Sequence, residues 1–175
     1  LTAGDLIKKN IREFPDFPQK GILFKDITPI FLNQELCNLI TEEFIRLLPE
    51  KPGAIVGIES RGFLFGFLMA NRLGIPFVLI RKSGKLPGKS YRVQYDLEYG
   101  TSAVEIQEGI LEQGTSVVIH DDLLATGGTA AASAELIQKA GLRLSAFTFL
   151  IELTELKGRE KLHKFTNHTI CLAKY

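Results

Sequence analysis

Four short, mainly aliphatic runs recur along the chain: Ala54–Ile58, Pro76–Ile80, Val117–His120 and Leu144–Leu150. Runs this short, without polar alternation, predict strands buried on both faces. Segments of helical pattern separate them, which predicts an α/β fold: a mostly parallel, twisted sheet flanked by helices. Ligands of such sheets bind beyond the C-terminal ends of the strands. The loops that follow these runs are therefore where function is sought. Thr169–Leu172 is a candidate fifth strand, and Thr101–Gln107 alternates polar and apolar residues as a half-exposed strand or arm does.

The helical segments have recognisable ends. Leu6, Ile7, Ile11 and Phe14 predict an amphipathic helix over Ala3–Phe14, stopped by Pro15 and Pro18. Asn33 is placed to cap a helix running to about Leu48. Phe63–Leu73 is closed by Gly74, and the Ala-rich Gly128–Ala140 by Gly141. A chain of 175 residues suits one domain, 1–175. Its net charge of +1 supplies no field for a polyanion, so nucleic-acid binding is not expected. Cys37 and Cys171 have no CxxC spacing and read as reduced thiols of a cytoplasmic protein. Gly62–Ala70, the longest uncharged apolar stretch, is about half a membrane span, so no membrane crossing is expected. The first residues carry Asp5, Lys8, Lys9, Arg12 and Glu13 and do not read as a secretory signal.

The most informative loop follows the third run. After His120 come two carboxylates, Asp121 and Asp122, then Ala125, Thr126, Gly127, Gly128 and Thr129, then a helix. Small residues at a helix start let backbone amides and threonine hydroxyls surround a phosphate. The aspartates would repel that phosphate, and they suit two neighbouring sugar hydroxyls instead. Together they describe a site for a ribose 5-phosphate. A Walker-A loop is disfavoured because no Lys precedes its Thr. Glu59-Ser60-Arg61-Gly62, also at a strand's end, offers Arg61 to a second anionic group. Arg81 to Gly100 lacks helical or strand periodicity and reads as a lid. Its basic opening, Arg81, Lys82, Lys85 and Lys89, suits a polyphosphate clamp. Phe24 is placed to stack on a flat base.

The string Asp121–Thr129 resembles the phosphoribosyl-diphosphate motif of the type I phosphoribosyltransferases. Phe17-Pro18, Gly21–Pro29, Glu59–Gly66, Arg81-Lys82 with Gly84–Gly88, Tyr95–Gly100, Glu152-Leu153-Thr154 and Leu156–Glu160 are similar to the adenine-specific branch of that family. The resemblance covers nearly the whole chain. It implies the type I fold with a small N-terminal hood, about residues 1–33, and a flexible catalytic lid, about 82–100. It implies purine salvage: adenine and 5-phosphoribosyl 1-diphosphate give AMP and diphosphate, with Mg²⁺ carried mainly by the diphosphate sugar. It also implies a cytoplasmic homodimer.

By the same resemblance, Ala125, Thr126, Gly127, Gly128 and Thr129 hold the 5′-phosphate, and Asp121 and Asp122 the ribose hydroxyls. Ser60, Arg61, Lys82 and Lys85 hold the diphosphate, with Arg81 reaching a neighbouring subunit's site. Leu23, Phe24 and Lys25 form the adenine pocket. Glu98 acts at the reacting centre and Tyr99 supports closure. Three positions depart from the family pattern: Lys25 for Arg, Glu59 for Asp, and His120 for an aliphatic residue. His120 is expected to be a hydrogen-bonded structural residue. Whether Glu98 takes a proton or stabilises the oxocarbenium-like sugar stays open at this level. The alternatives are a transferase for hypoxanthine, guanine or orotate, and a non-catalytic sensor on the same fold.

Overall fold

The computed structural model describes residues 2–97 and 100–175. Glu98 and Tyr99, the expected catalytic pair, lie outside the described residues. A seven-stranded sheet forms the centre, in the order β5-β6-β4-β3-β7-β8-β9. Its parallel part comprises β3 (Ala54–Ile58), β4 (Phe77–Lys82), β7 (Ser116–Leu124), β8 (Arg143–Glu152) and β9 (Thr169–Lys174). β5 (Ser90–Leu97) and β6 (Gly100–Gln107) form a hairpin whose second strand runs antiparallel to β4.

Period-two alternation divides the sheet's side chains between two cores. Ile55 and Val118 face one layer, where they meet Ile7 of α1 (Ala3–Asn10), Ile40 and Phe44 of α2 (Gln34–Leu47), and Phe65 and Met69 of α3 (Gly62–Leu73). Val56, Ile58, Val117 and Ile119 face the other, against Ala132, Leu136 and Ile137 of α4 (Gly128–Lys139). Leu162 of the short α5 (Gly158–Leu162) joins the second core. β7 lies at the middle of both and is buried from Val117 to His120.

The helix ends follow from local chemistry. Thr2 and Asp5 form a reciprocal capping box on α1, and the Leu36 N–H donates to Asn33 Oδ1 at 3.0 Å to cap α2. Gly74 closes α3 at φ 65°, in the left-handed region.

Two sequence expectations are corrected. The first helix ends at Asn10 instead of Phe14, because Arg12–Pro15 pairs as β1 with Leu23–Asp26, β2, in an antiparallel ribbon. Arg12 also binds Asp26 across that ribbon at 2.6 Å. Both contacts are long-range and outweigh the helical spacing. Arg81–Gly100 is not irregular throughout. β4 extends through Lys82, and Ser90–Leu97 pairs residue by residue with β6. The alternation of Tyr91, Val93, Tyr95 and Leu97 carries this strand, so the described irregular segment shortens to 83–89.

Phe44 is fully buried between Phe65 and His120, with ring centroids 6.2 Å and 5.1 Å away. Replacing it with alanine removes a side chain that both α3 and β7 lean on. Phe44→Ala is expected to cost about 3–5 kcal/mol in urea unfolding. A loss below about 1 kcal/mol would mean that the layer collapses to fill the space.

Candidate active site

At the C-terminal ends of β3, β4 and β7 the sheet opens into a cleft of about 450 Å³. Glu59, Ser60, Arg61, Lys82, Asp121, Asp122 and Thr129 all line it. A smaller recess of about 80 Å³ adjoins it, formed by the turn from Leu124 to Ala130 with Asp121 and Leu123. Parallel pairing of β3 with β7 sets Gly57 beside His120, so the turns after the two strands emerge together. Gly62 begins α3 hard against β7: a Cβ there would lie 2.6 Å from the His120 carbonyl oxygen. This close approach brings Arg61 to Asp122.

The two aspartates occupy different surroundings. Asp122 is buried, and its Oδ2 lies 2.9 Å from Arg61 Nε. Asp121 Oδ1 accepts from the Asp122 N–H at 2.8 Å. Burial pushes the Asp121 carboxyl well above the usual carboxylate range, and the neighbouring Asp122 charge adds to the shift. Burial also raises Asp122, with Arg61 opposing it. Both groups thus gain from hydroxyl donors, which supply hydrogen bonds without further charge.

The turn 125–129 has the features of an anion cradle. Gly127 precedes α4 at φ 79°, and no side chain caps the helix. The first turn of α4 holds no acidic residue. Its free N–H groups and the positive end of the helix are left for an anion. Tyr95 of β5 reaches this turn from the hairpin, with its hydroxyl 3.1 Å from Thr129 Oγ1.

A carboxylate organises the basic loop after β4. Glu59 binds Lys85 Nζ at 2.6 Å, the Lys82 N–H at 2.9 Å and Arg81 Nε at 3.2 Å. Burial raises its pKa, but these three donors outweigh burial and hold the carboxyl at about 2. Glu105 of β6 grips the next residues, accepting from Ser83 Oγ at 2.7 Å and the Gly84 N–H at 3.1 Å.

The β1–β2 ribbon stands beside the cleft. Arg61 bridges the two, with its guanidinium carbon 5.2 Å from the centroid of Phe24. The other side of Phe24 meets Phe17 edge-on at 5.1 Å. An apolar pocket of about 210 Å³ lies among Phe14, Phe17, Phe24 and Asp26. The Lys25 ammonium pairs with Glu13 and sits 3.9 Å from the ring centroid of Tyr175.

The family comparisons agree with this geometry. Residues 30–166 match the family model of the phosphoribosyl transferase domain. The adenine phosphoribosyltransferase of Methanococcus maripaludis is 51% identical, over 89% of this chain and 91% of its own. That of Christiangramia forsetii is 47% identical, over 89% and 92%. The solved adenine phosphoribosyltransferase of Thermoanaerobacter pseudethanolicus superimposes with a TM-score of 0.93 at 47% identity, covering 98% of this chain and 99% of that one. The Saccharomyces cerevisiae enzyme, solved with an imino-altritol bisphosphate and adenine, gives 0.92 at 41% identity, covering 97% and 98%. The chain belongs to the adenine phosphoribosyltransferase family.

Within that family's frame, the structure gathers Ser60, Arg61, Lys82, Asp121, Asp122 and Thr129 around one cleft, with Ala125, Thr126, Gly127 and Gly128 in the adjoining recess. Lys85 and Arg81 stand at the rim on Glu59. Arg81 contacts Glu59 and the Lys85 carbonyl. Phe24 reaches the cleft through Arg61, while Leu23 is exposed and the Lys25 ammonium is engaged with Glu13 and Tyr175. His120 turns away from the cleft into the α2–α3 layer. Its Nδ1 lies 2.9 Å from Thr148 Oγ1, and burial depresses its pKa to about 3, so it is neutral at physiological pH.

Sequence reasoning missed the roles of Glu59, Glu105 and Tyr95. Glu105 carried a readable signal, a carboxylate between the buried Val104 and Ile106. Glu59 and Tyr95 stood in segments already singled out, but their partners Lys85, Arg81 and Thr129 lie far away in the chain.

Glu59 makes stability depend on acid. Its carboxyl titrates near 2 in the folded chain against an ordinary value of 4.5. The stabilisation is present above pH 4.5 and is lost as pH falls towards 2. Glu59→Gln is therefore expected to show a shallower fall of the urea midpoint across that interval than the parent. Parallel curves for the two proteins would remove Glu59 as the source.

Proposed function

We infer that this chain transfers the 5-phosphoribosyl group from 5-phosphoribosyl 1-diphosphate to adenine, giving AMP and diphosphate in purine salvage. One observation carries the assignment: an uncapped helix start, the Asp121–Asp122 carboxylate pair and Arg61 converge on one cleft and its adjoining recess beside an aromatic ribbon. The 5′-phosphate lies in the turn Ala125, Thr126, Gly127, Gly128 and Thr129. Asp121 and Asp122 accept from the ribose hydroxyls. Ser60, Arg61, Lys82 and Lys85 receive the diphosphate, and Leu23, Phe24 and Lys25 the base, with the ring of Phe24 supplying the stacking face.

The reaction breaks the bond from the anomeric carbon to the diphosphate oxygen and forms one to a base nitrogen. Negative charge grows on the leaving diphosphate, where preorganised Lys and Arg lower the barrier. For those cations to reach it, Lys85 and Arg81 exchange Glu59 for the diphosphate. Glu98 acts at the reacting centre, and Tyr99 supports closure of the lid, 82–100, under the hood, 1–33. Closure excludes water from the activated sugar.

Among the described residues no group of three or more His, Cys, Asp or Glu is placed to hold a metal ion. The hard oxygens of Asp121 and Asp122 fit Mg²⁺ brought in on the diphosphate sugar. When bound, it neutralises charge on the diphosphate oxygens.

A homodimer is the proposed assembly. Its support is an exposed apolar face at α3, where the exposed Leu64 and Phe67 line one pocket with Phe31 and Phe63. The cytoplasm is the proposed compartment, supported by Cys37 and Cys171 as free thiols.

The test offers the protein adenine, hypoxanthine, guanine and orotate separately, with Mg²⁺ and 5-phosphoribosyl 1-diphosphate. AMP formation is expected to dominate. Preference for another base would overturn the pocket but keep the sugar site, and binding of the diphosphate sugar without any product would favour a sensor. Glu98→Gln is expected to lower kcat by about 10²–10⁴ with KM for the diphosphate sugar near the parent's. A normal kcat with a raised KM would remove Glu98 from the chemistry.

A further inference from the structure

The turn 125–129 is backed by a distant part of the chain. It lies against a segment some thirty residues later that takes no part in the cleft. Gly127 and Gly158 pack back to back. A Cβ on Gly158 would lie 2.2 Å from the Ala125 carbonyl oxygen, 2.9 Å from Gly127 N and 3.0 Å from Leu124 Cδ1. A Cβ on Gly127 would lie 2.6 Å from the Gly158 carbonyl oxygen. Most of these neighbours are backbone atoms, which cannot swing aside as a flexible side chain can.

The wall behind the turn is itself anchored. The Leu153 N–H donates to the Leu124 carbonyl at 2.9 Å, tying the segment to the end of β7. Lys157 takes a left-handed φ of 52° and delivers Gly158 to the contact. Arg159 then fixes the far side. Its fork holds both oxygens of the buried Glu152, at 2.9 Å and 2.6 Å, and its Nη1 donates to the Thr169 carbonyl at 2.6 Å. The bidentate pair with Glu152 of β8 is geometrically specific, and the bond to Thr169 ties the same guanidinium to β9.

We infer that Gly158, braced by Arg159, is a positioning residue that sets the backbone of 125–129 for a sugar phosphate. The inference rests on the assignment of that turn to the 5′-phosphate. The amides at the turn act only if they converge on one point. A shift of about 1 Å at such a constellation costs up to about a hundredfold. Any side chain at 158 forces such a shift, while the ribbon and the base side of the cleft keep their places.

The test titrates ribose 5-phosphate into wild type and Gly158→Ala by calorimetry, alongside steady-state kinetics and thermal unfolding. The dissociation constant for ribose 5-phosphate and KM for the diphosphate sugar are expected to rise about ten- to hundredfold, with KM for adenine within about twofold. A merely structural glycine would lower Tm and disturb both substrates alike, which would overturn the inference. So would a folded variant with unchanged affinity for ribose 5-phosphate. Should Gly158→Ala not fold, Arg159→Lys decides. Lysine cannot form the fork, so a smaller loss of ribose 5-phosphate affinity is expected, and unchanged affinity would overturn the proposal. Wild-type protein that binds no ribose 5-phosphate would overturn the assignment of the turn, and the inference with it.

Discussion

Asp121 and Asp122 lie near the C-terminal end of β7, whose preceding residues Val117–His120 are buried from water. Charges taken out of water cost several kcal/mol each unless they are paired. The surrounding structure supplies that compensation at short range. Gly62 lets α3 press against β7, so Arg61 reaches Asp122, and the Asp122 amide itself serves Asp121. This compensation is partial, since both carboxyls remain raised. A neutral partner rich in hydroxyls completes it. The proposed affinity of these carboxyls for sugar hydroxyls thus rests on the same burial that stabilises the sheet.

The basic side of the site obeys the opposite logic. Arg81, Lys85 and the Lys82 amide surround Glu59, and Glu105 holds Ser83 and Gly84. Cations that would otherwise repel one another are kept together by internal carboxylates. In the proposed reaction an arriving diphosphate competes with Glu59 for them, so binding exchanges one anion for another. Such an exchange keeps the loop ordered without a ligand and lowers the entropy lost on binding.

The strand–carboxylate–small-turn–helix string was legible because every part of it is local. Strand burial, helix start and glycine conformation are all set by near neighbours; the structure carries β7 on through Asp121 and Asp122 to Leu124 and starts α4 at Gly128. The β1–β2 ribbon was not legible, since Arg12–Pro15 becomes a strand only when Leu23–Asp26 lies beside it. β5 was concealed by the charged residues around it, although Tyr91, Val93, Tyr95 and Leu97 alternate correctly. The engagement of the Lys25 ammonium with Glu13 and Tyr175 is a meeting that no spacing rule contains.

The amino-acid sequence by itself determined the α/β class, the order of the buried strands, the phosphate turn and the carboxylate pair. These depend on hydrophobic periodicity and on the conformational preferences of single residues. Only the tertiary structure decided which carboxylate gathers the basic loop, which way His120 faces, and what stands behind the turn. Glu59 with Lys85, His120 with Phe44, and Gly127 with Gly158 are each partners distant in the chain. Their contact depends on how layers pack, because burial and close approach are properties of the assembled sheet and helices and not of any one segment.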